Sequence, residues 1–131
     1  MSAPEKFPGL PGHLGVQQGE HGEGWLEMTL PVADHLMAPN GFLHAGSIVT
    51  LADFACGMAC VHHLPDGAAG FTTIELKTNF LGAARDGTLH CRAEADHLGK
   101  ATQVWSAKVT HAETGKTIAL FRCTQMVLRA K

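Results

Sequence analysis

One stretch of this chain decides most of what it can fold into. From Ile48 to Leu64 nearly every residue is apolar, yet Asp53 stands near the middle and His62 and His63 near the end. A carboxylate at that depth argues against a membrane span and for a helix buried in protein. Helical spacing from His44 to about Val61 spreads Ile48, Val49, Leu51, Ala52, Phe54, Ala55, Met58 and Ala59 over almost every azimuth. Such a helix has to be wrapped by other elements. Leu64-Pro65-Asp66-Gly67 stops it.

The wrapping elements read as strands. Four extended stretches follow the helix, at about 70–81, 87–97, 101–112 and 116–128, with no second helical period. Their links, Gly82 to Gly87, Leu98-Gly99-Lys100 and Glu113-Thr114-Gly115, are short, which implies antiparallel neighbours. Ahead of the helix, Trp25 to Leu30 reads as a strand closed by Pro31, paired with a shorter one through Leu14 to Gln18 across the turn Gly19 to Gly24. Pro39-Asn40-Gly41 then turns the chain. Pro4, Pro8 and Pro11 with Gly9, Gly12 and Gly15 make residues 1–13 a surface arm. At 131 residues the whole is one domain. The expected class is α+β, a curved antiparallel sheet around one long central helix. One helix leaves part of such a sheet bare, so a homodimer that extends the sheet is expected.

Composition removes several function classes. Ten Lys and Arg against twelve Asp and Glu give a net charge of -2, which disfavours nucleic acid as a partner. Met1 to Gly12 has no apolar export core, so a soluble, cytoplasmic protein with no membrane partner is expected. Cys56, Cys60, Cys91 and Cys123 are too scattered for a disulfide framework and read as reduced core thiols. The nine histidines show no HxxxH spacing and there is no CxxC, so no metal site is expected.

Two places can carry chemistry. Asp53 loses hydration among apolar neighbours, which costs several kcal/mol unless something compensates. It is either a hydrogen-bonded packing residue or a general base or nucleophile. The second place is Asn40-Gly41-Phe42-Leu43-His44-Ala45-Gly46-Ser47, where turn meets helix. The first turn of a helix offers unpaired N–H groups and a positive dipole end, so Ala45, Gly46 and Ser47 can face an oxyanion. His44 is a cap or a group that orients a carbonyl; Asn40 is a turn residue with positive φ or a second orienting group.

These residues resemble the hotdog-fold thioesterases of the phenylacetate-degradation type. The family pattern is Gly-x-x-His-Gly-Gly followed by an acidic residue nine positions after the His; here it is Gly41-Phe42-Leu43-His44-Ala45-Gly46 with Asp53. Leu51-Ala52-Asp53, Gly57 and Phe71-Thr72-Thr73-Ile74-Glu75-Leu76 also resemble it, and the likeness runs from about Leu14 to Leu128. It implies a hotdog fold and hydrolysis of an acyl-CoA thioester without a cofactor, CoA being part of the substrate. Asp53 would be base or nucleophile, the N–H of Ala45 and of Gly46 the oxyanion donors, and His44 and Asn40 the orienting groups. Two departures stand out. His-Gly-Gly becomes His-Ala-Gly, and the family's amide six positions before the His falls on Ala38, with Asn40 as the nearby amide.

Thr73 matches a Ser or Thr that holds the lytic water, although simple alternation puts it opposite Ile74, Leu76 and Phe80 and puts Thr72 on their side. Lys100 and Arg85 are the candidates for the CoA phosphates. Phe42, Leu43, Phe54 and Met58 suit an aromatic or a medium aliphatic acyl pocket. Nine residues of helix set His44 and Asp53 roughly 13 Å apart along the axis. If both act on one thioester they come from two subunits, with two sites per dimer; a dimer of dimers is the expected assembly. A hotdog dehydratase or hydratase and a non-catalytic acyl-ligand-binding dimer are the competing readings.

Overall fold

The computed structural model describes residues 6–130, so Met1 to Glu5 of the expected arm lie outside it. The elements in chain order are α1 (Gly9–Leu14), β1 (Gln17–Gly22), β2 (Trp25–Pro31), a 3-10 turn (Asp34–Leu36), α2 (Ala45–His62), β3 (Ala68–Phe80), β4 (Thr88–Leu98), β5 (Thr102–His111) and β6 (Thr117–Arg129). All six strands form one antiparallel sheet in the order β1-β2-β4-β5-β6-β3. The α+β layout expected from the sequence is the one observed.

Alternation explains the sheet's two faces. Leu26, Met28 and Leu30 of β2, Leu89, Cys91 and Ala93 of β4, Trp105, Ala107 and Val109 of β5, and Phe121 and Cys123 of β6 all point to the helix side and are buried. α2 meets them with Ile48, Leu51, Ala52, Ala55, Cys56, Ala59 and Cys60. The small residues of that stripe let the helix sit close over Trp105. The four cysteines are free and buried. By length and composition α2 could cross a membrane; the sheet covers its inner half instead.

Three expectations need correction. Within the expected surface arm, residues 9–14 form a six-residue helix where proline and glycine argued for irregular chain: Pro8 and Pro11 lie at its start, where no N–H is needed, and Gly15 closes it with φ 92°. Phe7, just before it, packs edge-on against Phe54 of α2, with centroids 4.8 Å apart. The first strand starts at Gln17, beyond Leu14, and runs through Gly19 to Gly22, leaving a tighter turn at Glu23-Gly24. Finally, β3 and β4 are not neighbours. β3 pairs with β6 and forms one edge of the sheet, and the Gly82 to Gly87 link crosses to the far pair of strands.

Leu51 is fully buried at the centre of this contact. Leu51→Ala is expected to cost about 3 kcal/mol, read as a lower denaturant midpoint at unchanged slope.

Candidate active site

The turn before α2 is pinned on every side. Leu43 N–H donates to the Ala84 carbonyl (2.8 Å), His44 N–H to that of Leu36 (3.0 Å), and Ala38 N–H to that of Phe42 (2.7 Å). Asn40 Oδ1 accepts from Phe42 N–H at 3.1 Å, closing an Asx turn. The positive φ expected at Asn40 belongs instead to Gly41, at 86°. Asn40 is exposed, with its amide nitrogen outward from the turn bond.

His44 caps the helix: its Nδ1 accepts from Gly46 N–H at 2.7 Å. With Nδ1 an acceptor, the neutral ring carries its proton on Nε2, an exposed donor. Gly46 N–H is therefore occupied and does not offer itself as a second oxyanion donor. Ser47 N–H is turned back on the His44 carbonyl, and its hydroxyl on that of Leu36. Among the described residues only Ala45 N–H of this first turn has no acceptor, and Ala45 is exposed.

Asp53 sits halfway along α2, on the border between its covered and open sides. Its Oδ1 is buried without a hydrogen-bond partner. Burial raises its carboxyl above the usual 3.8, and the Thr73 hydroxyl beside it opposes that rise. With Phe54, Gly57, Met58, Val61 and Phe71 it lines a pocket of about 200 Å³. Gly57 matters here because a Cβ in its place would lie 3.0 Å from the Phe71 ring.

Thr73 faces Asp53, not away from it. The register of β3 on β6 slips between Thr73 and Glu75, so a bulge at Ile74 changes the phase of alternation. Phe71 and Thr73 before the bulge and Leu76, Thr78 and Phe80 after it all pair with inward residues of β6, namely Val127, Gln125, Cys123, Phe121 and Ala119. Thr72 pairs with exposed Met126 and lies outside.

One chain therefore holds three separate groups. Asn40, His44 and Ala45 stand at the start of α2, joined by Arg85, whose guanidinium lies 4.2 Å from the centre of the Phe42 ring. Asp53 and Thr73 stand at its middle. Lys100 lies beyond its far end, lining a second pocket with Asp66 and Arg129. An 18-residue helix is about 27 Å long, so Arg85 and Lys100 do not serve one site within a chain. Of the expected acyl-pocket residues, Phe54 and Met58 line the Asp53 pocket, Leu43 is in the core and Phe42 lies under Arg85. Among the described residues no three histidine, cysteine or carboxylate side chains converge as metal ligands.

Residues 40–118 match the thioesterase superfamily. The chain belongs to that superfamily. It is 32% identical over 123 residues to the 1,4-dihydroxy-2-naphthoyl-CoA hydrolase of Listeria monocytogenes, covering 94% of this chain and 98% of the relative. A crystal structure of a thioesterase from Haemophilus influenzae superposes with a TM-score of 0.85 at 32% identity, over 91% of this chain and 82% of that one. A thioesterase-family protein from Silicibacter pomeroyi gives 0.83, also at 32% identity, over 92% and 89%. The fold is thus the hotdog fold, and this thioesterase-superfamily chain is an enzyme.

One polar residue beside Thr73 escaped the sequence reading. Gln125 is fully buried, and its Oε1 lies 2.6 Å from the Thr73 hydroxyl. The signal was present: Gln125 occupies the apolar phase of an otherwise alternating strand, between Cys123 and Val127.

The raised carboxyl of Asp53 has a consequence for stability. A group whose folded value lies above its unfolded one weakens the fold as pH rises through the interval between the two. Asp53→Asn is therefore expected to match the parent near pH 3.5 and to melt roughly 2–5 °C higher at pH 7, measured by calorimetry across that range.

Proposed function

We propose that this enzyme hydrolyses an acyl-CoA thioester to the free acid and CoA at sites shared by two subunits. The observation that carries this reading is the half-dry Asp53 carboxylate facing an apolar pocket of acyl size. Desolvation makes it a stronger base at neutral pH than a solvated aspartate, suited to drawing a proton from water or to attacking the carbonyl itself. The developing oxyanion needs donors that wait for it. Ala45 N–H and the outward Nε2–H of His44 are two such donors, and Asn40 can orient the carbonyl from the same turn.

Asp53 and that turn are too far apart in one chain, and a second copy closes the gap. β3 is an edge strand whose Leu76 and Phe80 stand on the helix side of the sheet yet remain 42% and 47% exposed. On α2, Val61 is 46% exposed at the mouth of the Asp53 pocket. Two-fold pairing along β3 covers these surfaces and sets the two α2 helices antiparallel. The start of one helix then lies beside the middle of the other. Arg85 of one subunit and Lys100 of its partner are brought to the same end, where the CoA phosphates would meet them. The apolar lining accepts an aromatic or a medium aliphatic acyl group, and the relative from Listeria is named for an aromatic one.

Thiol release from a panel of aromatic and aliphatic acyl-CoAs tests the reaction. Wild type is expected to turn over at least one class. Asp53→Asn is expected to lose about 10³-fold or more in kcat with CoA affinity little changed, because the carboxylate acts in the transition state. No release from any thioester would favour dehydration or simple ligand binding.

Complementation tests the sharing. Ala45→Pro removes the critical N–H at the first helical position, where proline is tolerated, and His44 before it already has the extended backbone (φ -67°, ψ 140°) that a following proline requires. Each single variant is expected to be inactive. Refolded together in equal amounts with Asp53→Asn, they should recover about a quarter of wild-type activity, since half the dimers carry one intact site of two. Recovery would be absent if each site lay within one chain.

A further inference from the structure

Two glutamines face each other in the core, Gln103 on β5 and Gln125 on β6, both fully buried. Gln103 is held in one orientation, because its Nε2 donates to the His63 carbonyl (2.8 Å) and its Oε1 accepts from Trp105 Nε1–H (2.8 Å). Among the described residues the Gln125 side chain hydrogen-bonds only to the Thr73 hydroxyl, which can either donate or accept. With Oε1 toward Thr73, the hydroxyl proton goes to Gln125. Three atoms share one hydrogen in that arrangement, and both Gln125 Nε2 and Asp53 Oδ1 are left buried and unpartnered.

A half-turn of the Gln125 amide exchanges its oxygen and nitrogen without moving anything else. Nε2 then donates to Thr73 Oγ1, and the hydroxyl proton is released toward Asp53. The buried donor gains an acceptor and the buried carboxylate gains a donor. What remains is a carbonyl oxygen with no partner, which is cheaper to bury than an N–H.

We propose that Gln125 is a positioning residue of the hydrolytic site: it donates to Thr73, which donates in turn to Asp53, a one-way chain that runs from β6 through β3 to the reacting carboxylate on α2. This rests on Asp53 being the reactive group, but the order of the chain is a property of the resting protein. Gln125 does not touch substrate. It decides where the Thr73 proton goes, and so keeps one face of the carboxylate saturated while the other stays open to the pocket.

Little else near Asp53 titrates. On α2, Cys56 is its neighbour, and that thiol is pushed well up by its hydrogen bond with Cys123 of β6 and by burial. From β3 the facing group is Thr73, and no charged side chain among the described residues perturbs the carboxyl.

The test is a carboxyl-detected NMR titration of Asp53 in the intact protein, which needs no turnover. Thr73→Val is expected to raise the Asp53 midpoint by about one pH unit, the size of a lost hydrogen bond to a charged group, with Thr73→Ser restoring it. Gln125→Met is expected to hold or slightly raise it. The acid limb of kcat/KM should move in the same direction with whichever acyl-CoA is hydrolysed. An unchanged midpoint in Thr73→Val, or a lower one in Gln125→Met, would mean that the hydroxyl points to Gln125, and the proposal fails. In the wild type, cross-peaks from the Gln125 amide protons to the Thr73 methyl group support the chain, and their absence overturns it. Should no thioester be turned over while these shifts appear, the hydrolytic reading falls and the chain stands.

Discussion

The structure depends on burying an apolar helix that contains a carboxylate. Water has to be removed from the stripe of α2 formed by Ile48, Leu51, Ala52, Ala55 and Ala59, yet Asp53, one residue beyond it, must not be sealed in completely. A curved antiparallel sheet meets both demands. It closes around one side of the helix and stops short of the other, and Asp53 lies on the boundary. The same geometry that makes the carboxylate basic leaves an open apolar flank beside it.

Division of labour along the helix follows from its length. Donors cluster at the start of α2 because only a first turn has amides to spare, and the cap made by His44 selects which amide remains. Asp53 stands mid-helix, where the sheet covers it only in part. A single helix cannot place its own start beside its own middle, which is why the proposed site draws on two copies running opposite ways. On that proposal dimerisation is a requirement of the reaction, beyond covering a bare sheet edge.

Much of this was legible in the residues. The apolar run, the stop at Leu64-Pro65-Asp66-Gly67 and the alternation of the later strands placed α2 and β3 to β6 to within two residues of their bounds. The short helix at Gly9–Leu14 was hidden because prolines and glycines usually mark loops, and here they occupy the positions where a helix tolerates them. Strand order was misjudged for a similar reason: a six-residue link looks like a hairpin, while its course is set by which edge still needs a partner. At the site, the fate of Gly46 N–H could not be read from spacing, since it depends on the rotamer of His44 two residues away. The facing of Thr73 was lost to one inserted residue.

That inserted residue gives β3 two half-strands with different phases. Through Thr73 the odd positions look toward the helix, and from Leu76 onward the even ones do. Flattening the bulge with Ile74 still in place would turn Glu75, Lys77 and Asn79 inward in place of Leu76, Thr78 and Phe80. The edge would then carry charge and amide on its helix side instead of hydrocarbon. The bulge thus absorbs one extra residue within the strand, and loss of the Ile74 codon would leave Leu76 and Phe80 where they are.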